Sequence, residues 1–325
     1  MIKGMTSAQL TVAAVAVGLG VVALVVPHTN SFVILLTTRA LAFSILVISV
    51  DILLGFTGLA SMGQAAYLGI GAYLTAILAT RYHFGLGDDF WLVVGLAMLG
   101  SAALAAFFGL LAMRASGVYF LMITLALGQC VWGLAYRWNS LTGGDNGINL
   151  SQRPRFFGVD FANEVAFFYL VFAIFLASLL SMYLFVRSPF GRVLTTIRDN
   201  PERAAFIGVN VRAYQLAAFV VAGTFAGFAG ALYGIFSRGV FADYVFWSKS
   251  AEVMIMALLG GIGFFWGPAV GAFALVWLNQ RITDYTQYWP FVLGTILLVL
   301  LFVFPGGIVG GLHALWTRLR GPRRA

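Results

Sequence analysis

The chain has 325 residues, 61% of them hydrophobic and 9% charged, and a formal net charge of +8. Soluble globular chains carry about 25% charged residues, so this composition excludes a water-facing globule and defines an integral membrane protein. A nucleic-acid reading of the positive charge needs a basic face on a soluble core; here the basic residues fall between apolar runs, where membrane topology accounts for them.

The opening MIKGMTSAQL leads into an apolar run of about span length with no small-residue cleavage signature, which predicts an uncleaved first helix. A crossing helix needs roughly 20 apolar residues. By that rule spans fall at 8–27, 32–54, 59–80, 91–113, 117–136, 165–186, 213–236 and 289–304. The segment 250–281 is too long for one helix and is cut by GGIGFFWGP, Gly260 to Pro268. Its pieces, 250–263 and 267–281, are each about 14–15 residues, roughly 21–22 Å of helix, and read as broken or partial spans. The expected fold is an all-α polytopic membrane protein of about ten transmembrane or partial-span helices, one domain over 1–325.

Arg and Lys orient the spans. With both termini inside, the cytoplasmic set is Lys3, Arg114, Arg187, Arg192, Arg198, Arg203, Arg212, Arg318, Arg320, Arg323 and Arg324, eleven in all, against Asp199 and Glu202. The outer set has seven basic residues and seven acids. The positive-inside rule selects this orientation. It places loop 187–212 in the cytoplasm and loop 137–164 outside.

Four stretches stand out, taken in chain order. GFTGLASMGQAAYLGIGAY, Gly55 to Tyr73, sets Ser61 and Gln64 among Gly55, Gly58, Gly63, Gly69 and Gly71. Two readings fit: close packing between helices, or a broken helix lining a pathway, its half-helix starting near Gly63 and aiming backbone N–H groups at an anionic group. An amide such as Gln64 in hydrocarbon needs a partner: a neighbouring helix, water or a solute. LTGGDNGINL, Leu141 to Leu150, is tight-turn chemistry in the outer loop, a structured turn or a contact with an outer partner or solute, with Asn146 at its centre. SPFGRVLTTIRDNPERAAFIGVN, Ser188 to Asn210, is a long polar segment in a greasy chain. Ser188 and Asn200 each precede a proline, the signature of two capped helices, and Gly208 is placed to end the second. The loop reads either as a positive-inside anchor or as a surface that docks a partner. GGIGFFWGPAVGAFAL, Gly260 to Leu275, weakly echoes the first stretch and hints at an internal repeat.

Ionisable groups inside the spans are Arg39, Asp51 and Glu252. Such residues are functional candidates by default, yet Asp51 and Glu252 sit near span ends, where water is within reach. A proton-coupled secondary carrier would be expected to hold a more central acid or histidine, whereas His28, His83 and His313 read as interfacial. The single cysteine, Cys130, excludes an internal disulfide and a cysteine-based metal site. No HExxH, zinc spacing or Ser-His-Asp arrangement supports a membrane hydrolase. Neither of the two lysines, Lys3 and Lys249, lies in a GxxxxGK[ST] context, so an ATP motor would be another chain.

The four stretches together, in this order, resemble the signature segments of branched-chain amino-acid ABC transporter permeases of the LivM type, over nearly the whole chain. The resemblance implies a type II ABC importer permease-like fold with a possible inverted internal repeat. It also implies a bacterial inner-membrane transport subunit that is not itself an enzyme and binds no cofactor. Its implied partners are a second related permease, two ATPase subunits and a periplasmic solute-binding protein. ERAAFIG, Glu202 to Gly208, is similar to the importer E-A-A motif. The implied coupling surface is therefore Gly191, Arg192, Arg198, Asp199, Asn200, Glu202, Ala204, Ala205 and Gly208. The pathway candidates are Ser61, Gly63, Gln64, Gly69, Gly71 and Asn146. Leu, Ile or Val is the leading solute; related permeases serve urea, short amides or other small carboxylates, and no residue separates these choices.

Overall fold

Ser31–Leu54 (α1) has no polar face, and a helix apolar all round is stable only when other helices surround it. It is accordingly the pillar of the molecule, buried along most of its length. The structure, a computed structural model, describes residues 18–82, 84, 86–87, 89–150, 154–156, 159–285, 288, 291–292, 294–295, 298, 302 and 306–311. The start of the first expected span, most of the last one (289–304), Lys3, His83, His313 and the basic tail lie outside the described residues.

Beyond α1 follow Gln64–Arg81 (α2), Phe90–Ala112 (α3), Val118–Arg137 (α4) and Glu164–Arg187 (α5). The loop helices are Pro189–Asp199 (α6) and Pro201–Phe206 (α7), and the last set is Val211–Ser237 (α8), Trp247–Gly260 (α9) and Gly267–Tyr285 (α10). Among the described residues α1, α3, α4, α5 and α8 are long and apolar enough to cross a membrane. Large apolar side chains stand exposed on α3 (Leu99, Leu110) and α4 (Tyr119, Met122), as lipid-facing or partner-facing helices require.

Small residues set the central packing. A Cβ added at Gly71 would collide with the Gly227 backbone, one at Gly230 with the Leu68 backbone, and one at Gly223 with Ala105. Ser101 Oγ donates to the Tyr67 carbonyl at 3.3 Å. Helices α2, α3 and α8 thus approach at backbone distance, the arrangement small residues permit where lipid leaves no hydrophobic drive between helices. The segment 250–281 is divided as its glycines require. Helix α9 ends at Gly260, Gly261 and Gly263 adopt positive φ (113° and 81°), and α10 starts at Gly267. The two helices pack as an antiparallel hairpin, Gly271 against Met256 and Gly267 against Gly260.

The helical expectation is amended by two short ladders. β1 (Ile148–Asn149) pairs antiparallel with β4 (Gly239–Val240), and β2 (Arg155–Phe156) with β3 (Val159–Asp160). The first ladder explains LTGGDNGINL: Gly143, Gly144 and Gly147 take positive φ, and Leu150 donates to the Arg238 carbonyl at 3.0 Å. That turn therefore ties the α4–α5 loop to the α8–α9 loop.

Candidate functional site

Between α5 and α8 the chain makes two short capped helices. Ser188 Oγ accepts from the Gly191 amide at 3.2 Å, and Asn200 Oδ1 accepts from the Arg203 amide at 2.9 Å, each followed by proline at the first helical position. A cap satisfies amides that a helix start leaves free, typically about 1 kcal/mol each. Helix α6 then buries one stripe: Gly191, Leu194 and Ile197 face inward at intervals of three, and Phe190 stacks on Tyr214 with 4.8 Å between ring centroids. A Cβ at Gly191 would strike the Val186 carbonyl, which holds α6 tight against the end of α5. Helix α7 buries only Ala204, and its end projects: Phe206 and Ile207 are 90% and 71% exposed. Gly208 follows at φ +87°, with open space where a Cβ would stand.

One side chain of this loop reaches inward. Arg198 Nη1 donates to the Gly55 carbonyl at 2.6 Å, while Nε and Nη2 hold Asp199 Oδ1 at 3.2 and 3.0 Å. Gly58, at φ +75°, lies against the Arg198 side chain, with 3.1 Å from a would-be Cβ to Arg198 Cγ. On the other side of Gly55 stands Asp51, whose Oδ1 accepts from the Gly263 amide at 3.2 Å. Arg198 therefore sits where the break after α1 meets the break between α9 and α10. A hydrogen bond to a charged group contributes about 1.5–3 kcal/mol, whereas the exposed Arg198–Asp199 pair contributes about 0–1 kcal/mol.

Asp51 corrects the sequence reading. It was expected near water at a span end, yet it is 0% exposed, since the end of α1 is covered by the α9–α10 break at Gly263 and by Arg198 of α6. Its Oδ2 has no hydrogen-bond partner. Glu252 is likewise not simply hydrated: its Oε2 holds Lys249 Nζ at 2.7 Å, both side chains mostly buried.

The second region is the start of α2. Residues 55–63 are not helical, so α2 begins at Gln64 rather than at the expected 59. Gly63 packs against Thr124, which stands about 10 Å into α4 at 1.5 Å per residue. Thr124 Oγ1 accepts from the Met62 amide at 3.1 Å, Ser61 Oγ from the Gly63 amide at 3.2 Å and Ser250 Oγ from the Ala65 amide at 2.9 Å. The first donors of α2 are thus partly engaged by hydroxyls. Gln64 is different: it is 1% exposed, and neither its Oε1 nor its Nε2 has a partner. Burying an amide unpaired costs about 1–3 kcal/mol, so this side chain is held at the junction of α2, α4 and α9 at a cost to stability.

The structure brings Ser61, Gly63 and Gln64 together. Gly69 and Gly71 stand apart from them at packing contacts, against Val245 and Gly227, and Asn146 is exposed in the turn beyond α4. In the loop, Arg192, Glu202, Arg203 and Ala205 are exposed, Gly191 and Ala204 are buried, and Asn200 is a cap. Sequence reasoning missed Phe206 and Ile207, whose signal was two adjacent apolar residues inside a polar segment. It also missed Thr124 and Ser250, hydroxyls with no local signature.

A bundle of long apolar helices, interrupted by glycine and carrying one rigid polar loop tied into those interruptions, defines a multi-pass membrane permease. The chain belongs to the family described as "Branched-chain amino acid transport system / permease component", which matches residues 32–304. It is 28% identical over 297 residues to the high-affinity branched-chain amino acid transport system permease protein LivM of Escherichia coli (strain K12), covering 84% of this chain and 69% of that protein. It is also 24% identical over 292 residues to LivH of the same organism, covering 84% and 92%. Over 135 residues it is 29% identical to the nucleoside ABC transporter permease protein NupC of Lactococcus lactis subsp. cremoris, covering 38% and 43%. No solved structure matches it.

Proposed function

We propose that this chain is the membrane-spanning subunit of a bacterial ATP-driven importer of branched-chain or similarly small amino acids. In this reading it spans the inner membrane about ten times, with both termini and loop 187–212 in the cytoplasm. A second related permease completes the pore, two ATPase chains hydrolyse ATP, and a periplasmic binding protein delivers the solute. The chain binds no cofactor and carries no catalysis. The glycine breaks at 55–63 and 261–266 are corresponding interruptions of an inverted repeat, and Ser61, Gly63 and Gln64 line the path between them.

The observation that carries the reading is the loop between α5 and α8. It is capped twice, held by Leu194 and Ile197, tied through Arg198 to the Gly55 carbonyl, and it presents Phe206 and Ile207 outward. A positive-inside anchor needs only charge; a lever that passes motion from a motor to the spans needs rigidity, an inner attachment and an outer apolar anchor. The Gly208→Val variant tests this. Space is open at Gly208, so the chain itself is not obstructed, but a β-branched residue at φ +87° costs on the order of 1–3 kcal/mol and displaces the turn. The expected result is an inserted, folded permease whose complex no longer couples solute to ATP hydrolysis. Wild-type coupling at a normal yield of complex would return the loop to a simple anchor. Topology is checked separately in a chain lacking Cys130: cysteines at Thr195 and Asn149 should label from opposite sides, and same-side labelling would overturn the orientation.

A further inference from the structure

A cavity of about 560 Å³ opens beside the first turns of α9, lined by Asp243, Phe246, Lys249, Glu252, Ile255 and Leu275 among others. Its volume falls within the roughly 300–1,000 Å³ of small-molecule sites. Two features make it more than a crevice. The charged residues are gathered on one wall, where Lys249 Nζ and Glu252 Oε2 lie 2.7 Å apart one turn of helix from each other, and the side chains are only 23% and 19% exposed. Phe246, Ile255 and Leu275 supply an apolar remainder.

The surroundings keep the charge balanced. Lys249 Nζ stands 5.9 Å from the centre of the Phe43 ring, and the Arg39 guanidinium stands 5.7 Å from the same ring. Arg39 Nε is buried without a partner. Two cations thus gather at the Phe43 ring, one of them paired with the mostly buried Glu252, while Asp243 on the cavity wall is exposed. A partly buried pair of this kind is a costly way to stabilise a helix turn, because desolvation offsets most of the attraction. It is well suited to opening around a ligand that carries both charges. A zwitterion exchanges one ion pair for two, its carboxylate on Lys249 and its ammonium on Glu252. A ligand with one charge separates the pair and compensates only half of it, and leaving a buried charge unpaired is what makes such sites reject analogues.

We infer that this cavity is a binding site for a zwitterionic α-amino acid, with Lys249 taking the carboxylate, Glu252 the ammonium, and Phe246, Ile255 and Leu275 the aliphatic side chain. The site is distinct from Gln64 but mechanically joined to it. Ser250, between the two charged residues in sequence, accepts from the Ala65 amide at 2.9 Å, so a shift of this turn of α9 reaches the start of α2. The inference rests on the importer reading above and gives that reading a place where solute is held.

The test uses the purified complex of both permeases and the ATPases, without the binding protein, and equilibrium binding of labelled leucine. Unlabelled leucine should displace the label, whereas isopentylamine and 4-methylpentanoate, each lacking one charge, should not compete at similar concentration. Glu252→Gln and Lys249→Gln should each weaken binding by about tenfold or more, as loss of one charge-assisted contact predicts. Ile255→Trp, which leaves the ion pair intact and fills the cavity, should abolish it and guards against a charge variant that simply fails to fold. Undiminished leucine binding in folded Glu252→Gln and Ile255→Trp complexes would overturn the site, as would absence of binding in a wild-type complex that transports leucine; in both cases the importer reading survives. A wild-type complex that moves no amino acid at all would instead remove that reading, and the inference with it.

Discussion

The loop 187–212 and the junction at 55–64 are both interruptions in a helical chain, and they treat their polar groups in opposite ways. In the loop, Ser188 and Asn200 cap the helices and Arg198 is bonded through Nε, Nη1 and Nη2. At the junction Gln64 is buried with both amide atoms free, and Asp51 keeps one oxygen without a partner. In the proposed reading the loop transmits force, and a segment with that task is stabilised by satisfying its own ends. In the same reading the junction meets the solute, and there buried polar capacity is left unspent, at a cost of about 1–3 kcal/mol per group. Glycine shows the same division: Gly71 is required because α8 leaves no volume for a side chain, Gly208 because of its backbone angle.

The comparison can be broken at four points. The largest effect is expected from Gly71→Leu, where neither α2 nor α8 can yield backbone to the new side chain. No folded permease should be recovered after extraction and size-exclusion chromatography, and a normal profile would mean the helices have more freedom than their contact implies. Next is Phe206→Asp on the loop. Exposed at 90%, Phe206 contributes little to this chain's own fold. If it anchors the motor as interface aromatics do, its loss should cost about 2 kcal/mol or more of ATPase association, roughly thirtyfold. Retention of the ATPases at wild-type affinity would show that the tip is idle.

Gln64→Leu sharpens the opposite case. Replacing an unpaired buried amide with an apolar group of similar size should leave thermal stability unchanged or slightly higher while solute uptake falls. A fall in both would mark Gln64 as a packing residue, and unchanged uptake would remove it from the pathway. The smallest effect belongs to Arg192→Ala. This exposed side chain offers at most one pair to a partner, worth about 0–1 kcal/mol, so coupling should weaken only modestly and mainly at higher salt. A collapse of the complex would mean that Arg192 is buried against its partner.

The middle helices were legible because apolar runs of a length near 20 are local properties of the chain; the expected spans 8–27 and 289–304 lie largely outside the described residues, and the start of α2 moved from 59 to Gln64. The caps at Ser188 and Asn200 were legible for the same reason: a cap, a proline and the helix it starts lie within four residues. The division of 250–281 followed from the glycines at 260, 261 and 263, and the structure moved the boundaries by about three residues, the usual uncertainty of helix ends. Beyond the late start of α2 and the two short ladders, what failed was inference about depth. Asp51 looked close to water because it lies three residues before the end of α1, but burial depends on what covers that end, and Arg198 and Gly263 come from far along the chain.

Sequence alone thus determined the membrane class, the described long helices to within a few residues, the glycine break within 250–281 and the capped polar loop, since each is written in residues a few positions apart. Tertiary structure alone decided that both breaks converge on Arg198, that Gly69 and Gly71 serve packing while Gln64 is left unpaired, and that Lys249 and Glu252 face a cavity. Partners 143 and 212 residues apart, Arg198 with Gly55 and Gly263 with Asp51, are chosen by how helices stack, and no local pattern records them. Helix propensity and hydropathy act within a turn or two, whereas backbone contacts between helices select the single arrangement in which those distant groups meet.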